Sequence, residues 1–153
     1  MKITRWAEYG IHCAAFIAAE TGAGRYTVSA TEISNSQNIP LDYTRQILQR
    51  LKQGGLIQTV RGPAGGYRLT KAPYSITLGE IIRAAEGEVF EIVCESNPIG
   101  KERCDDSIAC GIRPIWYKLH EHINSFLNSY TLKDVLDNKE NDLVVIKSAG
   151  KRG

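Results

Sequence analysis

Residues 41–70 leave the chain few ways to fold. Leu41, Ile47, Leu48 and Leu51 recur at helical spacing, and Gly54-Gly55 ends the run at about Gln53. Two short strand-like stretches, 56–60 and 66–70, then flank Gly62-Pro63-Ala64-Gly65. A helix with one apolar stripe buries that stripe and presents the rest to solvent. Asp42, Thr44, Arg45, Gln46, Gln49 and Arg50 are therefore predicted to face outward, and the hairpin that follows carries Arg61 and Pro63 at its narrow tip.

Two helices are predicted upstream. Residues 5–21 place Trp6, Tyr9, Cys13, Phe16 and Ile17 at helical spacing. A second helix starts at Ser29, with Glu32 three residues later in a capping-box pattern and Ile33 as the first apolar contact. Residues 36–40 read as a turn, and Pro40 suits the start of the third helix, where its missing N–H costs nothing. Helix, turn, helix, hairpin is the order of a winged helix-turn-helix. The outward face of its second motif helix enters the DNA major groove. Arg and Gln make bidentate bonds to base edges there, and an Arg at a hairpin tip can reach the minor groove. The charge is distributed accordingly. Residues 25–71 hold seven basic side chains against two acidic ones, an excess of five, so the remainder must carry −3 to reach the net +2. A basic module of this kind suits phosphate contacts, although a merely solvated basic face has the same composition.

Downstream, Thr77 and Glu80 cap another short helix, whose buried side is Ile81, Ile82 and Ala85 and which ends at Gly87. A polar loop with Cys94, Cys104 and Cys110 follows. A helix of about 20 residues, roughly 30 Å long, then runs from Gly111 to Tyr130. Its apolar residues Ile112, Trp116, Leu119, Ile123, Phe126 and Tyr130 are spaced alternately by four and three, the pattern of a coiled-coil seam. A helix this long on so small a domain is expected to pair with a second copy. Residues 131–136 read as one more short capped helix. The expected fold is mainly α with a small β-hairpin wing. Its parts are a winged helix-turn-helix DNA-binding domain (1–90), a cysteine loop (91–110), a dimerisation helix with a short C-terminal helix (111–137) and a tail (138–153).

Lys2 and Arg5 ahead of the apolar run from Ile11 to Ala19 mimic a signal peptide, but Glu8 and His12 interrupt the pattern and no stretch is long enough to span a bilayer. A cytoplasmic location is expected, and with it reduced or metal-bound cysteines rather than disulfides. Nine residues separate Cys94 from Cys104 and five separate Cys104 from Cys110. Zinc knuckles and ferredoxin motifs are tighter, so spacing alone leaves metal ligands and free or regulatory thiols both open. Cys13, beside Phe16 and Ile17, is expected in the core. Glu8 and His12 are four apart and share a helical face.

These residues together resemble the Rrf-type family of bacterial transcription regulators (IscR-, NsrR- and RsrR-like). The likeness rests on Met1-Lys2-Ile3-Thr4, the wing from Val60-Arg61-Gly62-Pro63 to Gly65-Gly66-Tyr67, and Ile76-Thr77-Leu78-Gly79-Glu80. It continues through three cysteines ahead of Trp116, Phe126-Leu127 and Thr131-Leu132, to about Leu136. The resemblance implies a homodimeric winged-helix regulator of a double-stranded DNA operator. It also implies an iron–sulfur cluster held by loop cysteines and a non-cysteine ligand. IscR-like members place a histidine three residues after the last cysteine, where this chain has Arg113, which stays protonated and cannot ligate. The extra ligand must then come from elsewhere. NsrR-like members use an acidic residue at the position of Glu8, donated by the partner subunit. RsrR-like members hold a 2Fe–2S cluster with a Glu and a His at the positions of Glu8 and His12.

The implied metal set is thus Cys94, Cys104, Cys110, Glu8 and His12, with 2Fe–2S favoured over 4Fe–4S. If Glu8 and His12 both ligate, Cys94 and Cys110 complete the set and Cys104 is spare. The signal would be redox change, nitric oxide or cluster status. The alternative is a cluster-free member of the family that senses a small molecule or a protein partner. No nucleophile–base constellation, phosphate loop or nucleotide fingerprint points to an enzyme.

Overall fold

A computed structural model describes residues 2–92 and 110–138. Cys94, Cys104 and the tail beyond Asn138 lie outside the described residues. The helices are α1 (Arg5–Gly22), α2 (Ala30–Gln37), α3 (Leu41–Gln53), α4 (Leu78–Glu86) and α5 (Arg113–Ser129), with residues 132–138 also helical. Between α3 and α4 lie strands β1 (Ile57–Val60) and β2 (Gly66–Leu69) and a 3-10 turn, Pro73–Ser75. The chain is mainly α with a small β-hairpin wing, as the sequence pattern predicts.

Local chemistry sets the boundaries. Thr4 caps α1, its hydroxyl accepting from the Trp6 N–H at 3.1 Å. Ser29 and Glu32 form the expected capping box on α2, with Ser29 N–H donating to Glu32 Oε2 at 2.8 Å and Glu32 N–H to Ser29 Oγ at 3.2 Å. Val28 and Ile33 bracket this cap at the spacing of a hydrophobic staple, and both are fully buried. Thr77 and Glu80 repeat the box on α4. At the end of α3, Leu56 N–H donates to Leu51 O and Gly55 N–H to Lys52 O, both at 3.0 Å, which is the Schellman pattern.

The core forms where α1, α3 and the wing meet. Cys13, Ile17, Ile33, Ile47, Leu48, Leu51, Ile76 and Ile81 are completely buried there. Cys13 belongs to this core, and burial pushes its thiol up to about 12, so it packs as a neutral side chain. Helix α4 sits hard against its neighbours. A Cβ on Gly10 of α1 would come within 2.8 Å of the Ala85 Cβ, and one on Gly54 within 2.7 Å of the Ala84 Cβ. No methyl group fits between α4 and either of those helices.

The C-terminal region folds back onto this body. Leu78 N–H donates to Tyr130 O at 2.9 Å and Leu132 N–H to Ile76 O at 2.8 Å, while Leu132 is fully buried. Thr131 and Asp134 cap the last helical residues. Helix α5 itself contains no buried residue. Its predicted stripe is open, with Ile112, Trp116, Leu119, Phe126 and Tyr130 all exposed. An apolar groove of about 310 Å³ runs beside it, lined by Ile3, Val89, His122, Ile123, Phe126 and Leu127.

Glu32 gives the fold an acid-sensitive joint. The Ser29 amide first, then the Arg25 guanidinium and the Ser29 hydroxyl, lower its carboxyl to about 2 from the ordinary 4.5. A depressed carboxyl stabilises the fold above its unfolded value and loses that contribution as pH falls through the folded one. Glu32→Gln is therefore expected to flatten the decline of Tm between about pH 4.5 and about pH 2. Thermal unfolding followed by circular dichroism across that range checks this; an unchanged slope would mean that other carboxylates govern acid unfolding.

Candidate nucleic-acid interface and metal-ligand face

Helix α3 presents a polar face. Asp42, Arg45, Gln46 and Gln49 are exposed, as expected from the wheel. Arg45 Nη1 lies 3.8 Å from Asp42 Oδ1, with both side chains mostly in solvent, so the pair holds neither of them firmly. One residue departs from the prediction. Thr44 is fully buried, its hydroxyl bonded to Pro40 O at 3.2 Å and to Ile39 O at 3.5 Å. A threonine whose hydroxyl returns to the preceding turn can face a core, which polarity alone does not indicate. It stands beside Ile47, Leu48 and Leu51 rather than on the reading face.

Arg50 is exposed, as expected, and its guanidinium is engaged. Nη1 donates to Ala85 O at 2.7 Å, and the group lies 4.1 Å from the Trp6 ring centroid. Its direction is toward α1 and α4, away from the Arg45–Gln49 face. Tyr43, which sequence reasoning left without a role, joins the same cluster. Its ring centroid is 5.5 Å from that of Trp6 and 6.3 Å from that of Tyr9.

The wing is held from below. Val60 pairs with Gly66 where the hairpin meets its loop, and Gly65 N–H donates to Gly62 O at 2.9 Å across the tip. Arg61 and Pro63 are exposed there. The segment before α2 adds a bridge that was not predicted. Val28 and Tyr67 exchange backbone hydrogen bonds of 3.0 and 2.8 Å, and the Thr27 hydroxyl donates to Ala64 O at 2.7 Å. Gly66 allows that approach. Its φ is +154°, and a Cβ there would stand 2.6 Å from Val28 O. The buried apolar residue just ahead of the Ser29 cap was the available sequence sign that this segment is anchored.

The basic excess of this module is smaller than its composition suggests. Arg25 bridges Glu20 and Glu32 at 3.1 and 2.7 Å, and Lys71 pairs with Glu80 at 2.8 Å. Arg68 donates to Gln58 Oε1 and stacks 4.7 Å from the Tyr26 centroid. Among the described residues, Lys52 and Arg61 form no ion pair. Arg45, Lys52 and Arg61 are the cations best placed to meet phosphates or bases.

A second feature lies on α1. Glu8 and His12 project from one face, with Glu8 Oε1 4.0 Å from His12 Nε2 and side chains 61% and 42% exposed. They point away from the core that Cys13 and Ile17 enter. Cys110, the one loop cysteine among the described residues, is exposed. Among the described residues no three His, Cys, Asp or Glu side chains converge as a metal site. The convergence expected with Cys94 and Cys104 falls outside the described residues. Arg113 opens α5 with its guanidinium 6.0 Å from the Tyr117 centroid.

A polar recognition helix, a pinned hairpin wing and a long flanking helix define a winged helix-turn-helix DNA-binding protein. The chain belongs to the Rrf2 family, whose model, described as "Iron-dependent Transcriptional regulator", matches residues 3–138. It is 35% identical over 140 residues to the HTH-type transcriptional regulator IscR of Erwinia tasmaniensis, covering 92% of this chain and 81% of that protein. Two solved structures share its fold with a TM-score of 0.70. T. potens IscR is 28% identical, with 93% of this chain and 90% of that one covered. CymR, the global cysteine regulator of B. subtilis, is 26% identical, with 90% and 98% covered. The protein is thus a transcriptional regulator and not an enzyme. No helix among the described residues is long and apolar enough to cross a membrane.

Proposed function

We propose that the protein is a homodimeric transcription regulator whose grip on DNA is set by an iron–sulfur cluster. The observation that carries the metal part is the Glu8–His12 pair. An imidazole and a carboxylate stand side by side on an exposed helical face, 4.0 Å apart, with no buried partner claiming either. Their chemistry fits: thiolate, imidazole and carboxylate are all iron donors, and a mixed set tunes redox behaviour through its non-cysteine side. Glu8 and His12 would hold one side, and Cys94 and Cys110 the other, with Cys104 spare. When bound, the cluster supplies a one-electron redox centre, 2Fe–2S being favoured. Ligation needs a neutral imidazole and deprotonated thiols, so loading releases protons.

On the DNA side, Arg45, Gln46 and Gln49 would read base edges in the major groove, with Asp42 at the same face. Arg61 and Pro63 would enter the adjacent minor groove. Two copies joined along α5 would set their half-sites about one helical turn apart or a multiple of it. The open stripe on α5 supports this pairing, because the described residues of a single chain leave it uncovered.

The test is anaerobic purification followed by absorption spectroscopy, iron and sulfide assays, and gel shift. The probe is a duplex selected from a random pool by the wild-type protein. Coloured protein carrying iron and sulfide, with DNA affinity that changes on iron removal, is the expected result. A cluster-free regulator is the second reading, favoured by the equal structural likeness to the B. subtilis cysteine regulator. Colourless, iron-free protein from both aerobic and anaerobic preparations would select it. On either reading, Arg61→Ala is expected to weaken the selected duplex by about 10-fold at matched salt. Unchanged affinity would remove the wing from the interface.

A further inference from the structure

Arg50 joins three helices. It belongs to α3, it stacks on Trp6 in the first turn of α1, and it donates to the carbonyl of Ala85 at the end of α4. The same corner is tied twice more: the Thr4 hydroxyl donates to the Glu86 carboxylate, and Gly10 lets Ala85 pack against α1. Trp6 also contacts Tyr43 on the adjacent edge of α3. The guanidinium geometry accounts for the residue type. One plane both stacks on an indole and aims an N–H at a carbonyl, which a lysine ammonium cannot reproduce.

We infer that Arg50 is a positioning residue: it fixes the angle of the recognition helix against α1 and α4 and carries their movement to it, without touching DNA. Trp6 lies two residues before Glu8. Helix α4 ends at Glu86, and the chain runs on from there toward the cysteines. The two elements that Arg50 grips are therefore those that lead to both halves of the ligand set. This coupling rests on the proposed metal-dependent function, whereas the positioning of α3 stands without it.

Arg50→Lys and Arg50→Gln separate the alternatives. A phosphate contact would be preserved by lysine and lost in Arg50→Gln, where the slope of log affinity against log salt would fall by about 0.9. A positioning residue would lose its stacking and directed hydrogen bond in both variants while the slope stays unchanged in both. In the full-length protein, Arg50→Lys is expected to reduce discrimination between the selected duplex and a scrambled one by at least about 10-fold, the scale of one bidentate base contact. Trp6→Phe combined with Arg50→Lys should lose little more than either alone, because both break one joint. A changed salt slope, wild-type discrimination in Arg50→Lys, or additive losses in the double variant would each overturn the positioning role.

The coupling is read by comparing DNA affinity before and after iron removal. The ratio shown by the wild type should collapse to about one in Arg50→Lys, while iron content stays at the wild-type level. A retained ratio would overturn the coupling. Iron-free wild-type protein would instead refute the metal-dependent function and the coupling with it, while slope, discrimination and additivity still decide the positioning role.

Discussion

Phe126→Asp is expected to convert the protein to monomers and to weaken the selected duplex by at least about 100-fold. Phe126 is 61% exposed on α5 and stacks on Tyr130, with ring centroids 5.1 Å apart. It also lines the apolar groove with Ile3, Val89, His122, Ile123 and Leu127. A carboxylate buried in such an apolar seam would be desolvated, and a poorly paired buried charge disrupts an interface far more than a lost contact does. In the proposed dimer, losing the second copy would turn a two-headed DNA binder into a one-headed one, and the avidity at stake is on the order of 100- to 10,000-fold. Sedimentation equilibrium and gel shift measure the two effects. Lys118→Glu, on the far side of the helix, controls for added negative charge. Dimers persisting at micromolar concentration in Phe126→Asp would place the seam elsewhere.

Replacing Glu8 and His12 together by alanine should abolish iron retention while sparing the fold. Both side chains are exposed and neither caps a helix or enters the core. Alanine favours helix at both sites, so stability should remain within about 1 kcal/mol of wild type. Removing a partner that merely orients a metal ligand costs about 10- to 100-fold in affinity, and removing two ligands should exceed that. Iron and sulfide per subunit after anaerobic purification, with the visible absorption band, give the readout. The single variants separate the donors, since the essential one reproduces the double variant. Wild-type iron content in the double variant would assign the non-cysteine ligand to another residue.

Much of the fold was legible because its punctuation is local. The Ser29–Glu32 and Thr77–Glu80 boxes need only a three-residue spacing and start α2 and α4 where expected. Gly54-Gly55 and the wing glycines likewise announce their turns. The outward face of α3 was legible except at Thr44, and the contacts that engage Arg50 were not legible, each for a physical reason. Thr44 is polar by type but satisfies its hydroxyl on its own helix. Arg50 is exposed by helical position but is held by an indole and a carbonyl contributed by two other helices. Contacts between residues 35 or more apart leave no periodic trace. The Val28–Tyr67 bridge escaped for the same reason, although the apolar residue ahead of a cap hinted at it. On the ligand side, the four-residue interval sufficed to put Glu8 and His12 on one face, whereas Cys94 and Cys104 lie outside the described residues, and no interval encodes how residues so far apart in sequence are brought together.

The two glycine contacts that seat α4 bear on how quickly such a regulator could respond. Where Ala85 meets Gly10 and Ala84 meets Gly54, only an alanine methyl group stands between the backbones. Such a junction has no rotamers to rearrange and no slack to absorb strain, so a tug on one helix displaces its neighbours as a lever would. Response time would then be governed by whatever loosens the far end, and not by repacking in the middle.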